Sequence, residues 1–151
     1  ACASTGIIWA TNFHAIKPVI DFGTAEQKAR LLPRVAAGAL AALAITEPDA
    51  GSDATGMTTR FTPSGNDAVI VDGGKIFITN GDVADLILLF GKWSGISDGR
   101  GAISALIVEK GTPGLTVHPL SASRGRISPT ARVMVERSTP NQQASTSCVV
   151  P

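Results

Sequence analysis

The sequence contains little cysteine and no concentration of charge of one sign. Cys2 and Cys148 lie near opposite ends of the 151 residues, and no CxxC pattern or His/Cys cluster accompanies them. This usage predicts neither a disulfide framework nor a metal site, and the cytoplasm is the expected location. Thirteen Lys and Arg residues face twelve Asp and Glu residues, without a basic block. Binding to nucleic acid requires clustered cations, so nucleic acid is not expected as a partner.

Long apolar runs are also absent, and no membrane span is expected. The apolar stretch over residues 40–45 has the length of a strand, and no cleavable signal pattern is visible. What is present is a hydrophobic share of 44% with 17% charged residues, which is typical of a folded globular protein. The first residue is Ala1, not an initiator Met, and a helical pattern follows at once. We therefore expect the chain to begin inside a domain.

The first helix is predicted from apolar residues at helical spacing over residues 2–19. These residues are Ile7, Ile8, Ala10, Phe13 and Ile16. Pro18 is expected to limit this helix, because proline lacks the backbone N–H that a helix interior requires.

A second helix is predicted over residues 25–32. Thr24 followed by Gln27 has the spacing of a capping box, and Glu26 lies favourably in the first turn. Pro33 is expected to end this helix. Two short helices therefore occupy the first quarter of the chain.

After Gly38 the pattern changes to short strands separated by turn sequences such as GG, NGD and GTPG. The predicted strands cover residues 40–45, 58–62, 69–72, 76–79, 86–90, 102–108, 115–117 and 131–136. No connection has the length of a crossover helix, which favours antiparallel pairing. We predict an α+β fold: a short N-terminal helical segment followed by an antiparallel β-barrel or sandwich. The expected division is a helical part over 1–38, a β domain over 39–136 and an irregular tail over 137–151.

The first stretch with chemical potential is AITEPDAGSD, at residues 44–53. Its loop contains Thr46, Ser52 and backbone N–H groups that could bind the carbonyl edge or the pyrophosphate of a cofactor. The alternative is structural, with Ser52 or Asp53 capping a turn that runs through Met57. A loop carboxylate could be a general base, but the loop offers no partner that would raise its pKa.

The second stretch is GGKIFITNG, at residues 73–81. If 76–79 is a strand, Phe77 and Thr79 point to one face, because alternate residues of a strand share a face. An aromatic ring beside a hydroxyl suits a flavin, which needs apolar contact for its ring and hydrogen bonds for its polar edge. A hairpin strand with Phe77 in the core and Thr79 at the turn is the alternative, and these residues alone leave both open.

Taken together and in this order, the two stretches resemble the acyl-CoA dehydrogenase family. DFGT and EQKARLLP upstream resemble the end of that family's N-terminal helical domain, and GTPGLTV downstream fits its middle β-barrel. The resemblance covers about residues 10–120 and implies FAD as the cofactor. The implied reaction is α,β-dehydrogenation of acyl-CoA thioesters, with hydride passing to FAD and electron-transferring flavoprotein as the acceptor. A homo-oligomer is implied for the full-length protein.

The resemblance also implies roles for individual residues. The Ile45 backbone and Thr46 would hydrogen-bond the pyrimidine edge of FAD. Thr79 would contact the flavin near its reactive nitrogen, and Phe77 would flank the ring in a position where the family commonly has Trp. Ser52 would lie near the pyrophosphate and the entry of the thioester substrate.

No catalytic residue is assigned within these 151 residues. The family's base is a Glu in a C-terminal helical domain, which this sequence does not contain, so we predict no turnover by these residues alone. Two other functions remain open: an acyl-CoA oxidase or flavin monooxygenase on the same scaffold, and a non-catalytic β-barrel binding or assembly module.

Overall fold

The computed structural model describes residues 2–64, 68–96 and 102–118, and the backbone of Val133–Glu136. Two helices come first, α1 (Ala3–Phe22) and α2 (Ala25–Ala36), and a single 3₁₀ turn covers Ala54–Gly56. Six strands follow the helices: β1 (Ala41–Ala44), β2 (Arg60–Ser64), β3 (Ala68–Asp72), β4 (Leu86–Trp93), β5 (Ile103–Glu109) and β6 (Val133–Glu136). No helix in these ranges is both long enough and apolar enough to span a membrane.

Both helices continue past the prolines that were expected to end them. Pro18 lies inside α1 and Pro33 lies inside α2. A proline in a helix interior costs about 3 kcal/mol through a lost hydrogen bond and a steric clash. The flanking residues offset this cost, because they form one apolar cluster with the sheet: Ala15, Ile16, Val19, Leu31, Ala41 and Leu86. The predicted ends at residues 19 and 32 are therefore wrong, since packing outweighs the local preference.

The predicted capping box at the start of α2 is confirmed. The Gln27 N–H donates to Thr24 Oγ1 at 3.2 Å, and the Thr24 N–H donates to Gln27 Oε1 at 2.9 Å. Both N–H groups would otherwise lack a partner within the helix.

The described strands form an open mixed sheet in which β4 is central. β1 and β2 pair with β4 in parallel, whereas β2–β3, β3–β6 and β4–β5 are antiparallel. The α+β class is consistent with this arrangement, but the antiparallel barrel or sandwich is not found. A short connection restricts the pairing direction only of the two consecutive strands that it joins. The parallel pairs join strands that are not consecutive in sequence, so the lack of crossover helices did not exclude them.

Two of the predicted strands are wrong. Residues 115–117 are not in a strand: the Leu115 N–H donates to the Thr112 carbonyl oxygen in a turn at 3.1 Å. Leu115 and Val117 still pack against the core, which explains their apolar spacing. Residues 76–79 also form no strand and are described with the site. The strand expected over 131–136 is found as β6, and the tail over 137–151 lies outside the described residues.

The core of the sheet is built around Phe61, which is fully buried. Its ring meets that of Trp93 edge-on, with centroids 5.6 Å apart. A Cβ on Gly91 would approach this ring to 2.6 Å, so only glycine fits at that position of β4. This packing holds β2 beside β4.

Candidate functional site

The candidate site begins where β1 ends. Ile45 and Thr46 follow the buried strand and are half-buried, and the chain then reverses between Glu47 and Ala50 through a pair of backbone hydrogen bonds of 3.0 and 3.3 Å. Further along, Asp53 accepts a hydrogen bond from the Thr55 N–H at 3.0 Å and caps the 3₁₀ turn. The structural alternative for this loop is therefore confirmed for Asp53.

The GGKIFITNG stretch lies against this loop, but not as a strand. Phe77 and Asn80 adopt left-handed backbone conformations, with φ of 56° and 66°. The Gly81 N–H donates to the Ile78 carbonyl oxygen at 3.0 Å in the turn that follows. The prediction that Phe77 and Thr79 share a strand face is wrong, because a left-handed residue interrupts the alternation of a strand.

A backbone hydrogen bond joins the two stretches. The Ile76 N–H donates to the Thr46 carbonyl oxygen at 2.9 Å. This contact places the exposed ring of Phe77, with 66% of its surface accessible, next to the end of β1. An exposed aromatic residue held in an unfavourable backbone conformation is a feature often found at functional sites.

The predicted site residues differ in how closely the structure associates them. Ile45 and Thr46 lie against the segment that carries Phe77, whereas Thr79 is half-buried in the turn and Ser52 is exposed in the loop. Within the described ranges, no hydrogen bond joins Ser52 or Thr79 to this group. The hydroxyls of all three residues, Thr46, Ser52 and Thr79, make no hydrogen bond to another described residue.

A buried ion pair behind the site was not predicted from the sequence. Lys75 Nζ donates to Glu47 Oε1 at 2.7 Å and to the Ile45 carbonyl oxygen at 2.8 Å. The Glu47 carboxylate also accepts hydrogen bonds from the backbone N–H and the hydroxyl of both Thr58 and Thr59. The exposed fractions of the two charged side chains are only 1% for Lys75 and 2% for Glu47. The pair therefore joins the loop after β1, the residues just before β2 and the GGKIFITNG stretch.

The surroundings of Glu47 determine its protonation. Burial by itself raises the pKa of its carboxyl group, but the hydrogen bonds from Lys75, Thr59 and Thr58 outweigh burial and lower the pKa to about 2. Glu47 is therefore ionised and fully hydrogen-bonded, which makes it unsuited to be a general base near neutral pH. Burial lowers the pKa of Lys75, and the ion pair with Glu47 partly offsets that effect.

Gly73 allows this network to form. Its φ is 148°, and a Cβ at this position would approach Thr59 Oγ1 to 2.5 Å and Thr59 Cα to 2.7 Å. Thr59 is one of the donors to Glu47. The Gly-Gly pair before Lys75 was the available sequence signal, because adjacent glycines often mark a close approach of two backbone segments.

The first helix is connected to the same region. Asn80 Nδ2 donates to the Ile8 carbonyl oxygen at 3.3 Å, and the Ala41 N–H donates to Asn12 Oδ1 at 2.5 Å. These side-chain contacts tie both the start of β1 and the end of the GGKIFITNG stretch to α1.

Comparison with known families identifies the scaffold. The family model for the acyl-CoA dehydrogenase middle domain matches residues 42–138, and the model for the acyl-CoA dehydrogenase N-terminal domain matches residues 1–39. The chain belongs to the acyl-CoA dehydrogenase family. The matched ranges include both stretches of the candidate site.

Individual relatives agree with this assignment. The chain is 45% identical over 116 residues to cyclohex-1-ene-1-carbonyl-CoA dehydrogenase from Geobacter metallireducens, which covers 76% of this chain and 30% of the relative. The structure of the prolyl acyl carrier protein oxidase AnaB superposes with a TM-score of 0.77 at 32% identity, covering 89% of this chain and 38% of AnaB. The structure of an acyl-CoA dehydrogenase from Bacillus anthracis in complex with FAD gives a TM-score of 0.76 at 31% identity. The superposition covers 88% of this chain and 24% of the relative. The chain thus spans well under half the length of each of these proteins.

Proposed function

We propose that the protein acts in FAD-dependent α,β-dehydrogenation of acyl-CoA thioesters, and that the described residues form one side of its flavin site. The observation that carries this proposal is the junction of the two stretches, where the Ile76 N–H meets the Thr46 carbonyl oxygen beside the exposed Phe77 ring. The membership of the family and the FAD complex of the Bacillus anthracis relative support it.

The residues at this junction fit a flavin. Phe77 presents an aromatic ring to the outside, as contact with an isoalloxazine ring requires. The Thr46 N–H and hydroxyl find no hydrogen-bond partner among the described residues, so they remain as donors for a polar ligand edge. The charge of Lys75 is neutralised by Glu47.

We assign the binding roles as follows. The Ile45–Thr46 backbone and the Thr46 hydroxyl hold the pyrimidine edge, Phe77 flanks the ring, and Thr79 lies near the reactive nitrogen. Ser52, exposed in the loop, contacts the pyrophosphate and borders the entry of the thioester. FAD when bound accepts the hydride in the family's reaction, and the residues of this chain bind and orient it.

Proton abstraction is assigned to a residue outside this sequence. Glu47 is buried and held ionised, and the Asp53 carboxylate is engaged in capping the 3₁₀ turn. These 151 residues alone are expected to show no acyl-CoA oxidation with an artificial electron acceptor. Flavin-dependent product formation would contradict this assignment.

The remaining features of the whole protein are proposals that follow from the family. We propose acyl-CoA as substrate, electron-transferring flavoprotein as acceptor, a homo-oligomeric assembly and a cytoplasmic location. We also propose the division into a helical part over 1–38 and a flavin-binding part over 39–136. The separate matches of the two family models support that boundary.

The binding assignment is tested by titrating FAD into the chain and following the quenching of flavin fluorescence. Thr46→Val removes the hydroxyl and keeps the shape, so we expect FAD to bind about ten-fold more weakly, the effect of one lost hydrogen bond to a ligand. Thr116→Val, on an exposed residue distant in sequence from both stretches, is the matched control and is expected to bind as the unsubstituted chain does. If Thr46→Val binds FAD as tightly as the unsubstituted chain does, the Thr46 hydroxyl does not contribute to the site.

A second candidate is an oxidase that transfers electrons to O₂, and the likeness to the oxidase AnaB favours it. The scaffold is shared, so the described residues do not separate the two reactions. Reducing the FAD-loaded protein and following reoxidation in air distinguishes them. Slow reoxidation is expected for a dehydrogenase, and rapid reoxidation would favour the oxidase.

A further inference from the structure

The buried Lys75–Glu47 pair has no direct part in the proposed binding of flavin, and stability alone explains it poorly. Two charges that are taken out of water lose hydration, and buried ion pairs can often be replaced by apolar residues without loss of stability. A buried ion pair is better explained when its geometry fixes the orientation of a neighbouring group. The atoms that Lys75 contacts indicate what is fixed here.

Lys75 Nζ donates to the carbonyl oxygen of Ile45, the residue whose backbone is assigned to the pyrimidine edge. The Ile45–Thr46 peptide bond is trans, so the Thr46 N–H points in the direction opposite to that carbonyl and away from Lys75. A cation on the carbonyl oxygen polarises the peptide group and makes its N–H a stronger donor. Lys75 therefore polarises the Ile45–Thr46 peptide from the interior of the protein, and the N–H of that peptide is the group assigned to the flavin.

Glu47 holds Lys75 in this position. Its carboxylate is fixed by the backbone N–H groups of Thr58 and Thr59, so it cannot follow Lys75 if the lysine moves. The Ile76 N–H holds the next carbonyl, that of Thr46, at 2.9 Å. The orientation of the two peptide groups after β1 is thus set from the interior of the protein.

We propose that the Lys75–Glu47 pair is a positioning device that orients and polarises the Ile45–Thr46 peptide, and so sets the affinity and the reduction potential of the bound flavin. This proposal rests on the proposed function. A reduced flavin carries more negative charge at its pyrimidine edge than an oxidised one. A stronger N–H donor at that edge favours the reduced form and raises the potential.

The test compares two variants that both weaken the network. Lys75→Met removes the contact with the Ile45 carbonyl oxygen, whereas Thr58→Val removes one hydroxyl donor to Glu47 and leaves Lys75 in place. Lys17→Met, on an exposed ion pair of α1, controls for the loss of a lysine. The measurements are the melting temperature, the dissociation constant for FAD and the reduction potential of the bound flavin.

We expect both network variants to melt at lower temperature, but only Lys75→Met to bind FAD at least ten-fold more weakly. We also expect a ten-fold loss of preference for the reduced flavin, which lowers the potential by about 30 mV for a two-electron couple. Thr58→Val should bind FAD within two-fold of the unsubstituted chain, and Lys17→Met should match it in all three measurements. If Lys75→Met does not fold, the double variant Glu47→Gln/Lys75→Met, which leaves no uncompensated charge, takes its place with the same expectation.

Two results would overturn the proposal, and they are distinguishable. Affinity and potential that fall in Thr58→Val as much as in Lys75→Met, or in neither variant, would show that the pair does not position the flavin site, although FAD binds. A failure of the unsubstituted folded chain to bind FAD would overturn the proposed function and the positioning role with it.

Discussion

At the scale of single residues, the environment of Glu47 decides which chemistry is available to it. A carboxylate that accepts hydrogen bonds from Lys75, Thr58 and Thr59 is stabilised in its charged form. Such a residue contributes to stability and orientation, and a proton abstractor requires the opposite environment. Glu47 therefore acts as a structural anchor for the site.

This environment predicts a dependence of stability on pH. The pKa of Glu47 is lowered from 4.5 to about 2 in the folded protein, so between these values the unfolded chain binds a proton that the folded chain does not. The free energy of unfolding therefore falls as the pH falls from about 4.5 to about 2, and the contribution of Glu47 to this loss is about 3 kcal/mol. Urea unfolding across this range measures it. Glu47→Gln is the control, and an equally steep loss in that variant would contradict the assignment.

Gly73 gives a second prediction at this scale. Gly73→Ala would bring a Cβ against Thr59 and force a side chain into a positive φ, so we expect a destabilisation of about 3 kcal/mol. Gly51→Ala is the matched control, because a Cβ there has no heavy atom within 4 Å and no positive φ is involved. Chemical denaturation of both variants measures the difference. Similar stabilities of the two variants would show that the approach to Thr59 is not restrictive.

How far the site could be predicted from the sequence also depends on the distance between residues. The cap at Asp53 depends on atoms two residues away, and its residue type indicates it directly. Lys75 and Glu47 lie 28 residues apart, and each belongs to a different stretch of the sequence. Nothing in either stretch alone shows that a lysine and a glutamate will meet in the interior.

At the scale of elements, local signals predicted the starts of helices better than their ends. The capping box at Thr24 is formed by neighbouring atoms and was predicted correctly. The helix ends expected at Pro18 and Pro33 were predicted wrongly, because packing of the neighbouring apolar residues on the sheet maintains both helices. The predicted strand over 76–79 failed for a related reason: Ile76 pairs with Thr46, and the left-handed Phe77 then turns the chain.

The cap of α2 leads to a prediction for the helix itself. Thr24→Ala removes the acceptor for the Gln27 N–H, and we expect the free energy of unfolding to decrease by about 1 kcal/mol. Amide hydrogen exchange in the first turn of α2 should become faster, while exchange in α1 is retained. Thr116→Ala, at an exposed position outside the helices, should change neither quantity. Unchanged exchange in α2 after Thr24→Ala would show that the box does not support the helix.

At the scale of the whole molecule, side-chain contacts join the helices to the sheet and to the site stretch. Arg30 and Arg34 of α2 form ion pairs with Glu109 at the end of β5, and Asn80 connects the site stretch to α1. The class of the fold was predicted from the order of helices and strands. The mixed pairing was not, because strand order in a sheet depends on contacts between segments that are distant in sequence.

We propose that the loop after β1 and the GGKIFITNG stretch together form one side of a flavin site. The most direct test is the melting temperature of the unsubstituted chain measured over a range of FAD concentrations. Binding to the folded state predicts that stability rises with the logarithm of the FAD concentration, by about 2.7 kcal/mol at a hundred times the dissociation constant. A melting temperature that does not change with the FAD concentration would contradict a flavin site at this place in the fold.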